Sequence, residues 1–250
     1  MEANKTMSKQ DILYIVIPAY NEADNITNVI NEWYPIVEQY NGNKKSRLVI
    51  LNDGSKDNTA EIAKNLCRTK PLLSVIDKAN SGHGATILYG YKYALKNKAD
   101  FIFQTDSDGQ TRPEEFHQFW NLRNDYDMII GHRNHREDGL SRKFVTKVLK
   151  CTVKAKFGVT VTDANAPFRL MNRGTLSQCV QYIPPDFNLS NVVLTVVYHR
   201  KNQRIKYIPI TFRPRQGGTN SINMKRIFKI GKDALVDFQK INRDLKSAGI

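Results

Sequence analysis

The chain has 250 residues, enough for one large α/β domain or two small ones. Its 40% hydrophobic and 25% charged residues are typical of a soluble globular protein, and no apolar run approaches the ~20 residues of a membrane-spanning helix. The three widely spaced cysteines suggest neither a disulfide framework nor a zinc site. A formal net charge of +14 favours a polyanionic partner, such as nucleic acid, an anionic membrane or a phosphate-bearing substrate.

Short apolar strands alternate with amphipathic helices through the first half of the chain. A first strand, Ile12 to Ile17, leads into a helix that begins near Asp24. The pattern then repeats, and it predicts strands at 47–51, 72–76, 101–103 and 127–131 and helices at 60–66, 85–96 and 113–121. This alternation indicates right-handed crossovers and a mainly parallel sheet flanked by helices.

Beyond residue 139 the alternation weakens. We predict a basic helix at 139–157, a loop from Asp163 to Arg169, a helix at 189–199, a strand at 205–212 and a largely helical stretch from Ile222 onward. No linker or internal repeat divides the sequence, so a single α/β domain over 1–250 is expected. The polar residues 1–11 lack the apolar core of a secretory signal, which indicates a cytosolic protein.

Two carboxylates follow the predicted strand at 101–103. Asp106 and Asp108 are two residues apart, so in an extended segment their side chains lie on the same side and converge. Converging carboxylates repel each other unless a cation lies between them. A hard divalent cation would suit them, with the amide oxygen of Gln110 completing an all-oxygen set. A polar turn bent at Gly109 would explain the same residues without a metal.

Polar clusters follow each of the first four predicted strands, at 19–22, 52–59, 80–84 and 105–110. Parallel strands end at one edge of their sheet, and ligands of such sheets bind outside that edge. We therefore expect Asp53 to lie near the acidic pair and to bind a ligand, although a turn before Gly54 would also favour an aspartate.

Four segments carry a resemblance to a known family: VIPAYNE (16–22), NDGSKDNT (52–59), NSGHG (80–84) and TDSDGQ (105–110). Their order and spacing resemble the inverting family 2 glycosyltransferases of GT-A fold, with its Rossmann-like sheet. Within that family the sequence is most similar to the dolichyl- or polyprenyl-phosphate sugar transferases, of the dolichyl-phosphate mannose synthase type. The resemblance extends to GHR (131–133), DANAPFR (163–169) and RQGGTNS (215–221).

The resemblance implies an enzyme that takes a hexose from GDP-mannose or a UDP-hexose, with Mg²⁺ or Mn²⁺ as cofactor. Residues 11–135 would bind donor and metal, and residues 136–250 the acceptor. The implied nucleotide-binding residues are Pro18, Tyr20, Glu22, Asp53, Gly82, Asp106, Ser107 and Asp108, and the metal ligands are Asp106, Asp108 and Gln110. The acceptor phosphate would meet Arg133, Arg142, Arg169, Arg215 and Ser221. Catalytic roles would fall to Asp106, Asp108, Arg133, Asp163 and Arg169. Capping of the helix that follows is the alternative role for Glu22.

The segment from 139 to 157 is basic and contains no acidic residue; its cations are Arg142, Lys143, Lys147, Lys150, Lys154 and Lys156. Its apolar residues recur at helical spacing, which predicts an amphipathic helix. Such a helix either lies at the surface of an anionic membrane, where a polyprenyl phosphate is found, or packs its apolar face on the sheet. We expect a cytoplasmic protein with peripheral attachment to the membrane.

Two other functions stay open. A family 2 transferase that acts on a sugar hydroxyl of a glycan would share the donor site, with Asp163 available as a base. A nucleic-acid-binding protein would explain the charge, but the basic residues are not interleaved with aromatic ones in an RNA-binding motif, so no nucleic acid partner is predicted. A nicotinamide dehydrogenase is disfavoured, because the first strand ends in PAYNE and not in a GxGxxG turn.

Overall fold

The computed structural model describes residues 11–133, 140–214 and 237–250. These residues form the strands β1 (Leu13–Ala19), β2 (Arg47–Asp53), β3 (Leu73–Lys78), β4 (Phe101–Gln104), β5 (Met128–Arg133), β6 (Arg169–Asn172) and β7 (Ile205–Ile210). They also form the helices α1 (Ile26–Gln39), α2 (Thr59–Leu66), α3 (His83–Lys96), α4 (Phe116–Asn121), α5 (Leu140–Phe157), α6 (Arg173–Cys179), α7 (Ser190–Arg200) and α8 (237–247).

The strands form one seven-stranded sheet in the order β3-β2-β1-β4-β6-β5-β7. All pairings are parallel except those of β6, which runs antiparallel to both β4 and β5. Strands from both halves of the chain share this sheet. The predicted single α/β domain with a mainly parallel sheet flanked by helices is confirmed.

Two elements were not predicted from the sequence, β6 and α6. We expected a loop to end at Arg169, but that residue begins β6, a strand of only four residues. Asn172 then caps α6 by accepting a hydrogen bond from the Thr175 amide (2.8 Å). The first turn of the helix predicted at 113–121 is a 3₁₀ turn, with α4 following it. Part of the helical stretch predicted from Ile222 lies outside the described residues, and the remainder includes α8.

One face of the sheet is covered by α1, α2 and α4. An aromatic cluster fills this layer around Phe103 of β4, whose ring centroid lies 4.7 Å from Phe168, 4.9 Å from Phe116 and 5.3 Å from Trp33. Burial of an aromatic side chain of this size contributes about 1.5–3 kcal/mol. The cluster therefore fixes β4, which leads to Asp106 and Asp108. It also fixes Phe168, the residue immediately before Arg169 and β6.

The other face is covered by α3, α7 and the second half of α5. Val153 and Phe157 of α5 are buried there, and Phe157 packs against Phe238 of α8 (5.2 Å between centroids). The Arg200 guanidinium donates to the carbonyl of Phe157 (2.8 Å) and holds the end of α5 to α7. The apolar side of α5 is thus partly used in packing on the domain.

Candidate active site

Six of the seven strands end at the same edge of the sheet, because β1 to β5 and β7 all run in one direction. Asp53 is the last residue of β2, and Asp106 follows the end of β4 by two residues. Since β6 runs the opposite way, its first residue lies at this edge too, and Arg169 pairs with Gln104. Within the described part of the chain, the structure therefore brings Asp53, the acidic pair and Arg169 to one edge.

Residues 105–111 form a turn that we call the acid loop. Its two ends are joined by the Oγ1 atoms of Thr105 and Thr111, 2.8 Å apart. Gly109 has a positive φ of 70°, a conformation that favours glycine, and the Gln110 amide donates to Oδ1 of Asp108 (3.1 Å). Ser107 is buried. These contacts give the loop a defined shape with both carboxylates at its bend.

The donor set of the acid loop fits a hard divalent cation. Asp106, Asp108 and Gln110 are all partly exposed, and they offer carboxylate and amide oxygens, the ligands that Mg²⁺ and Mn²⁺ prefer. Nε2 of His83 lies 3.8 Å from Oδ1 of Asp106. Among the described residues no group of three or more His, Cys, Asp and Glu side chains could hold a metal. A cation at this loop would thus need further oxygens, such as those of a diphosphate.

Asp53 organises the loop that leads into α3. Its carboxylate accepts hydrogen bonds from the amides of Ser81 (2.9 Å) and Gly82 (3.0 Å) and forms an ion pair with Lys78, the last residue of β3. Burial raises the pKa of this carboxyl, but the bonds from Lys78 and Ser81 outweigh burial, and the pKa lies below its ordinary value. The contribution of Asp53 to stability is therefore present above about pH 4 and is lost as the pH falls below the unfolded-state pKa.

The segment after β1 contacts the segment after β2. The amide of Asn21 donates to Oγ of Ser55 (3.0 Å) and that of Glu22 to Oγ1 of Thr59 (2.8 Å). The Glu22 side chain is buried and accepts from Nδ2 of Asn25, the residue before α1 (2.6 Å). Of the other nucleotide-binding residues predicted here, Pro18 lies inside β1 and Tyr20 is exposed. The backbone carbonyl of Glu22 also accepts from the amides of Asn25 (2.9 Å) and Ile26 (2.8 Å) at the start of α1, so this residue contacts that helix through both backbone and side chain.

Arg169 is fully buried, and its guanidinium is surrounded by hydrogen-bond acceptors of the protein. Nε and Nη2 donate to the carbonyls of Ala166 and Ala164, and Nη1 donates to the carbonyl of Asn191 and the hydroxyl of Thr195 on α7. An arginine has five N–H donors, and these contacts number five. Burial lowers the pKa of Arg169. The side chain fixes the 163–169 loop against α7 and has no donor left for a phosphate in this arrangement.

A buried polar cluster lies beneath the acid loop. The Tyr91 hydroxyl is 2.9 Å from both Oε1 of Gln104 and Oδ1 of Asn191, and Nδ2 of Asn191 donates to the same oxygen of Gln104 (2.9 Å). Burial raises the pKa of Tyr91. The cluster joins the end of β4 to α3 and α7, so it supports the acid loop from below.

The remaining predicted acceptor residues are only partly described. Asp163 is half-buried on the loop before β6, where its charge interacts with that of Arg169. Arg133 ends β5, on the same edge as the acid loop, and Arg142 lies in the first turn of α5; their side chains are outside the described set. Arg215 and Ser221 also lie outside the described residues. The basic helix itself is confirmed, and in its second half Lys147, Val148, Lys150, Cys151 and Lys154 are exposed.

Two residues of this edge were missed by the sequence analysis, Lys78 and Arg213. Lys78 donates to Asp53, Ser81 and Thr86, and Arg213 contacts the acid loop. Lys78 ends β3 and Arg213 follows the end of β7, and both strands end at the common edge. Their positions at strand ends are the sequence signal that could have identified them. Neither belongs to a motif that we recognised.

The chain has the GT-A fold of solved glycosyltransferases. Glucosyl-3-phosphoglycerate synthase from Mycobacterium tuberculosis has the same fold, with a TM-score of 0.68 at 16% identity over 92% of this chain and 80% of that one. Mannosyl-3-phosphoglycerate synthase from Rubrobacter xylanophilus gives a TM-score of 0.67 at 15% identity over 95% and 75% of the two chains. At such identities the likeness concerns the fold alone.

The chain belongs to glycosyl transferase family 2, whose sequence model matches residues 14–241, and the predicted family is thereby confirmed. An undecaprenyl-phosphate 4-deoxy-4-formamido-L-arabinose transferase from Pseudomonas savastanoi pv. phaseolicola is 28% identical over 64% of this chain and 47% of its own length. A dolichyl-phosphate β-glucosyltransferase from Trichomonas vaginalis is 31% identical over 49% of this chain and 38% of its own. The matched part is thus about half of these relatives or less. Within the described part of the chain, no helix has the length and apolar character needed to cross a membrane.

Proposed function

We propose that the protein is a metal-dependent, inverting glycosyltransferase that moves a hexose from a nucleotide diphosphate sugar to a polyprenyl phosphate. The observation that carries the proposal is the common sheet edge, where a family 2 chain presents Asp53, Asp106 and Asp108. The acceptor is supported by relatives named for transfer to undecaprenyl and dolichyl phosphate. The donor and metal are supported by the crystallisation of the M. tuberculosis synthase with Mn²⁺ and UDP.

On the donor side, residues 11–135 would bind the nucleotide along the ends of β1, β2 and β4. Asp53 would accept a hydrogen bond from the base, and the segment around Pro18, Tyr20 and Glu22 would face the base and ribose. The acid loop would hold Mg²⁺ or Mn²⁺ through Asp106, Asp108 and Gln110. Such an ion, when bound, neutralises charge on the departing diphosphate.

On the acceptor side, residues 136–250 would bind the lipid phosphate. An oxygen of that phosphate attacks C1 of the sugar from the side opposite the diphosphate, and the bond from C1 to the diphosphate oxygen breaks. A phosphate monoester carries more than one negative charge at neutral pH, so the nucleophile needs orientation and charge neutralisation more than a base. Arg133, Arg142, Arg215 and Ser221 would supply these, and Arg169 would position the loop that carries Asp163.

The exposed side of α5 would place the enzyme on the cytoplasmic face of an anionic membrane. Lys147, Lys150 and Lys154 are exposed there, with Val148 46% exposed among them. Val153 and Phe157 are buried in the core, and the exposed side chains of the described second half of α5 include these three lysines and no acidic residue. This arrangement favours reversible, electrostatic binding over deep insertion.

The donor half of the proposal is tested by calorimetry with UDP- and GDP-sugars, with and without Mn²⁺. We expect one nucleotide sugar to bind in the presence of Mn²⁺ and to bind much more weakly after the metal is removed by chelation, because the acid loop would hold an ion that neutralises the charge of the diphosphate. Failure of every nucleotide sugar to bind, or binding that is indifferent to the metal, would count against the assignment of the acid loop.

Asp53→Asn should weaken binding of that nucleotide sugar by roughly 1.5–3 kcal/mol, or about 10- to 100-fold, through loss of a charge-assisted hydrogen bond. Calorimetry measures the change directly. Asp77→Asn is the matched control, since Asp77 forms its own ion pair, with Lys64, one residue before the end of β3. Equal donor affinity in wild type and Asp53→Asn would remove Asp53 from the nucleotide site.

Changing Lys147, Lys150 and Lys154 together to Glu should weaken binding to phosphatidylglycerol-containing vesicles by about 100-fold or more. Each cation near an anionic surface contributes about 1 kcal/mol, and the wild-type affinity should also fall as salt rises. Vesicle co-sedimentation provides the measurement. The control changes Lys44, Lys45 and Arg68 to Glu; these exposed residues precede β2 and β3 and so lie at the opposite edge of the sheet. Equal losses in both triple variants would mean that net charge alone binds the vesicles.

A further inference from the structure

The segment that follows β7 is fastened to the acid loop by Arg213. Its guanidinium donates from Nε to the carbonyl of Gly109 (2.8 Å) and from Nη2 to the carbonyl of Thr111 (3.3 Å). Nη2 also forms an ion pair with Glu32 of α1. The backbones are joined as well, because the Arg213 amide donates to the carbonyl of Gln110 (2.9 Å).

These contacts act on the part of the acid loop that turns. Gly109 has the positive φ, and Thr111 closes the loop through its hydroxyl. A guanidinium spans the two carbonyls and the carboxylate at once because its N–H groups point in fixed, divergent directions. A lysine ammonium would have to serve all three acceptors from one nitrogen, whereas the guanidinium uses two. Arg213 therefore braces both sides of the bend and ties it to α1.

We infer that Arg213 is a positioning residue that holds Asp108 and Gln110 in the geometry in which they bind the metal. The inference rests on the proposed function in that it takes the acid loop as the metal site. Arg213 stands two residues before Arg215, the first residue of the segment assigned to the acceptor phosphate. The side chain touches neither substrate nor metal in this role.

Amide hydrogen exchange tests the inference without metal or substrate. In Arg213→Met the amide hydrogens of the peptide spanning 105–112 should exchange about tenfold faster, relative to those of a peptide from β1. The reason is that the carbonyls of this loop lose the hydrogen bonds from Arg213, so the loop opens more often. Arg213→Lys keeps the charge beside Glu32 and should give an intermediate rate. Arg204→Met is the matched control: Arg204 pairs with Asp127 just before β7 begins, and its loss should leave the peptide unchanged. Unchanged exchange in Arg213→Met would overturn the inference.

Transfer kinetics give a second readout. The Mn²⁺ concentration for half-maximal transfer should rise about tenfold in Arg213→Met, while kcat at saturating Mn²⁺ stays within about twofold of wild type. A loss of kcat at unchanged Mn²⁺ dependence would contradict a positioning role toward the metal. If the wild-type protein transfers no sugar at all, the proposed function fails, whereas the exchange experiment still decides whether Arg213 braces the loop.

Discussion

Asp108→Asn should lower the rate of sugar transfer by about 10³-fold or more while the protein stays folded. The substitution keeps the size of the side chain and an oxygen that can accept from the Gln110 amide, and it removes the negative charge. A metal ion held at a diphosphate contributes several kcal/mol to transition-state stabilisation, and about 1.4 kcal/mol corresponds to a tenfold change in rate. Initial rates at saturating donor measure the loss, and thermal unfolding reports on the fold.

The matched control is Asp125→Asn. Asp125 is exposed and precedes β5, so it lies at the edge of the sheet opposite the acid loop. This variant should transfer sugar at the wild-type rate. If Asp108→Asn kept more than about a tenth of the wild-type rate, the assignment of Asp108 as a metal ligand would be wrong.

Arg169→Lys should lower the free energy of unfolding by about 1–3 kcal/mol. The guanidinium serves four buried acceptors, the carbonyls of Ala164, Ala166 and Asn191 and the hydroxyl of Thr195. A lysine has three donors on one nitrogen, so at least one of these acceptors loses its hydrogen bond to residue 169. Each buried acceptor left unsatisfied costs about 1–3 kcal/mol. Urea denaturation provides the measurement, with the slope of the transition compared between variants.

Arg173→Lys is the control for Arg169. Arg173 lies four residues further along and is exposed. Its guanidinium makes a long ion pair with Asp100 (3.7 Å) and a long hydrogen bond to the Lys98 carbonyl (3.4 Å), so its change should cost little. The measurement distinguishes two roles of Arg169, binding of the acceptor phosphate and fixing of the 163–169 loop. Unchanged stability together with a large loss of transfer would show that the guanidinium serves the substrate and not the 163–169 loop.

The sheet was predictable because each strand leaves a local signal. Runs such as Leu13 to Ile17 and Leu48 to Leu51 are almost wholly apolar, as expected for strands covered on both faces. By contrast, β6 has four residues and begins with an arginine, and its antiparallel position between β4 and β5 depends on pairing partners about 40 to 70 residues away in sequence. No local pattern encodes such an insertion.

The edge of the sheet that carries the site was also predictable, because parallel strands end at one edge and bring the residues that follow them close together. Asp53 and Asp106 were placed on one edge by strand order alone. The burial of Arg169 was not predictable, because its acceptors on α7 follow 22 and 26 residues later and become neighbours only in the folded domain. The contacts of Arg213 with Gly109 and Thr111 likewise span 104 and 102 residues.

The acceptor is the central claim, and one competition assay tests it most directly. Radiolabelled nucleotide sugar is offered with Mn²⁺ to the enzyme in the presence of both vesicle-embedded polyprenyl phosphate and soluble glycans, and the products are separated by solvent extraction. Our account predicts that the label enters the lipid phase as a polyprenyl-phosphate sugar, in a reaction that Asp108→Asn abolishes. Label found only in the soluble glycans would contradict the account and identify a sugar hydroxyl as the acceptor.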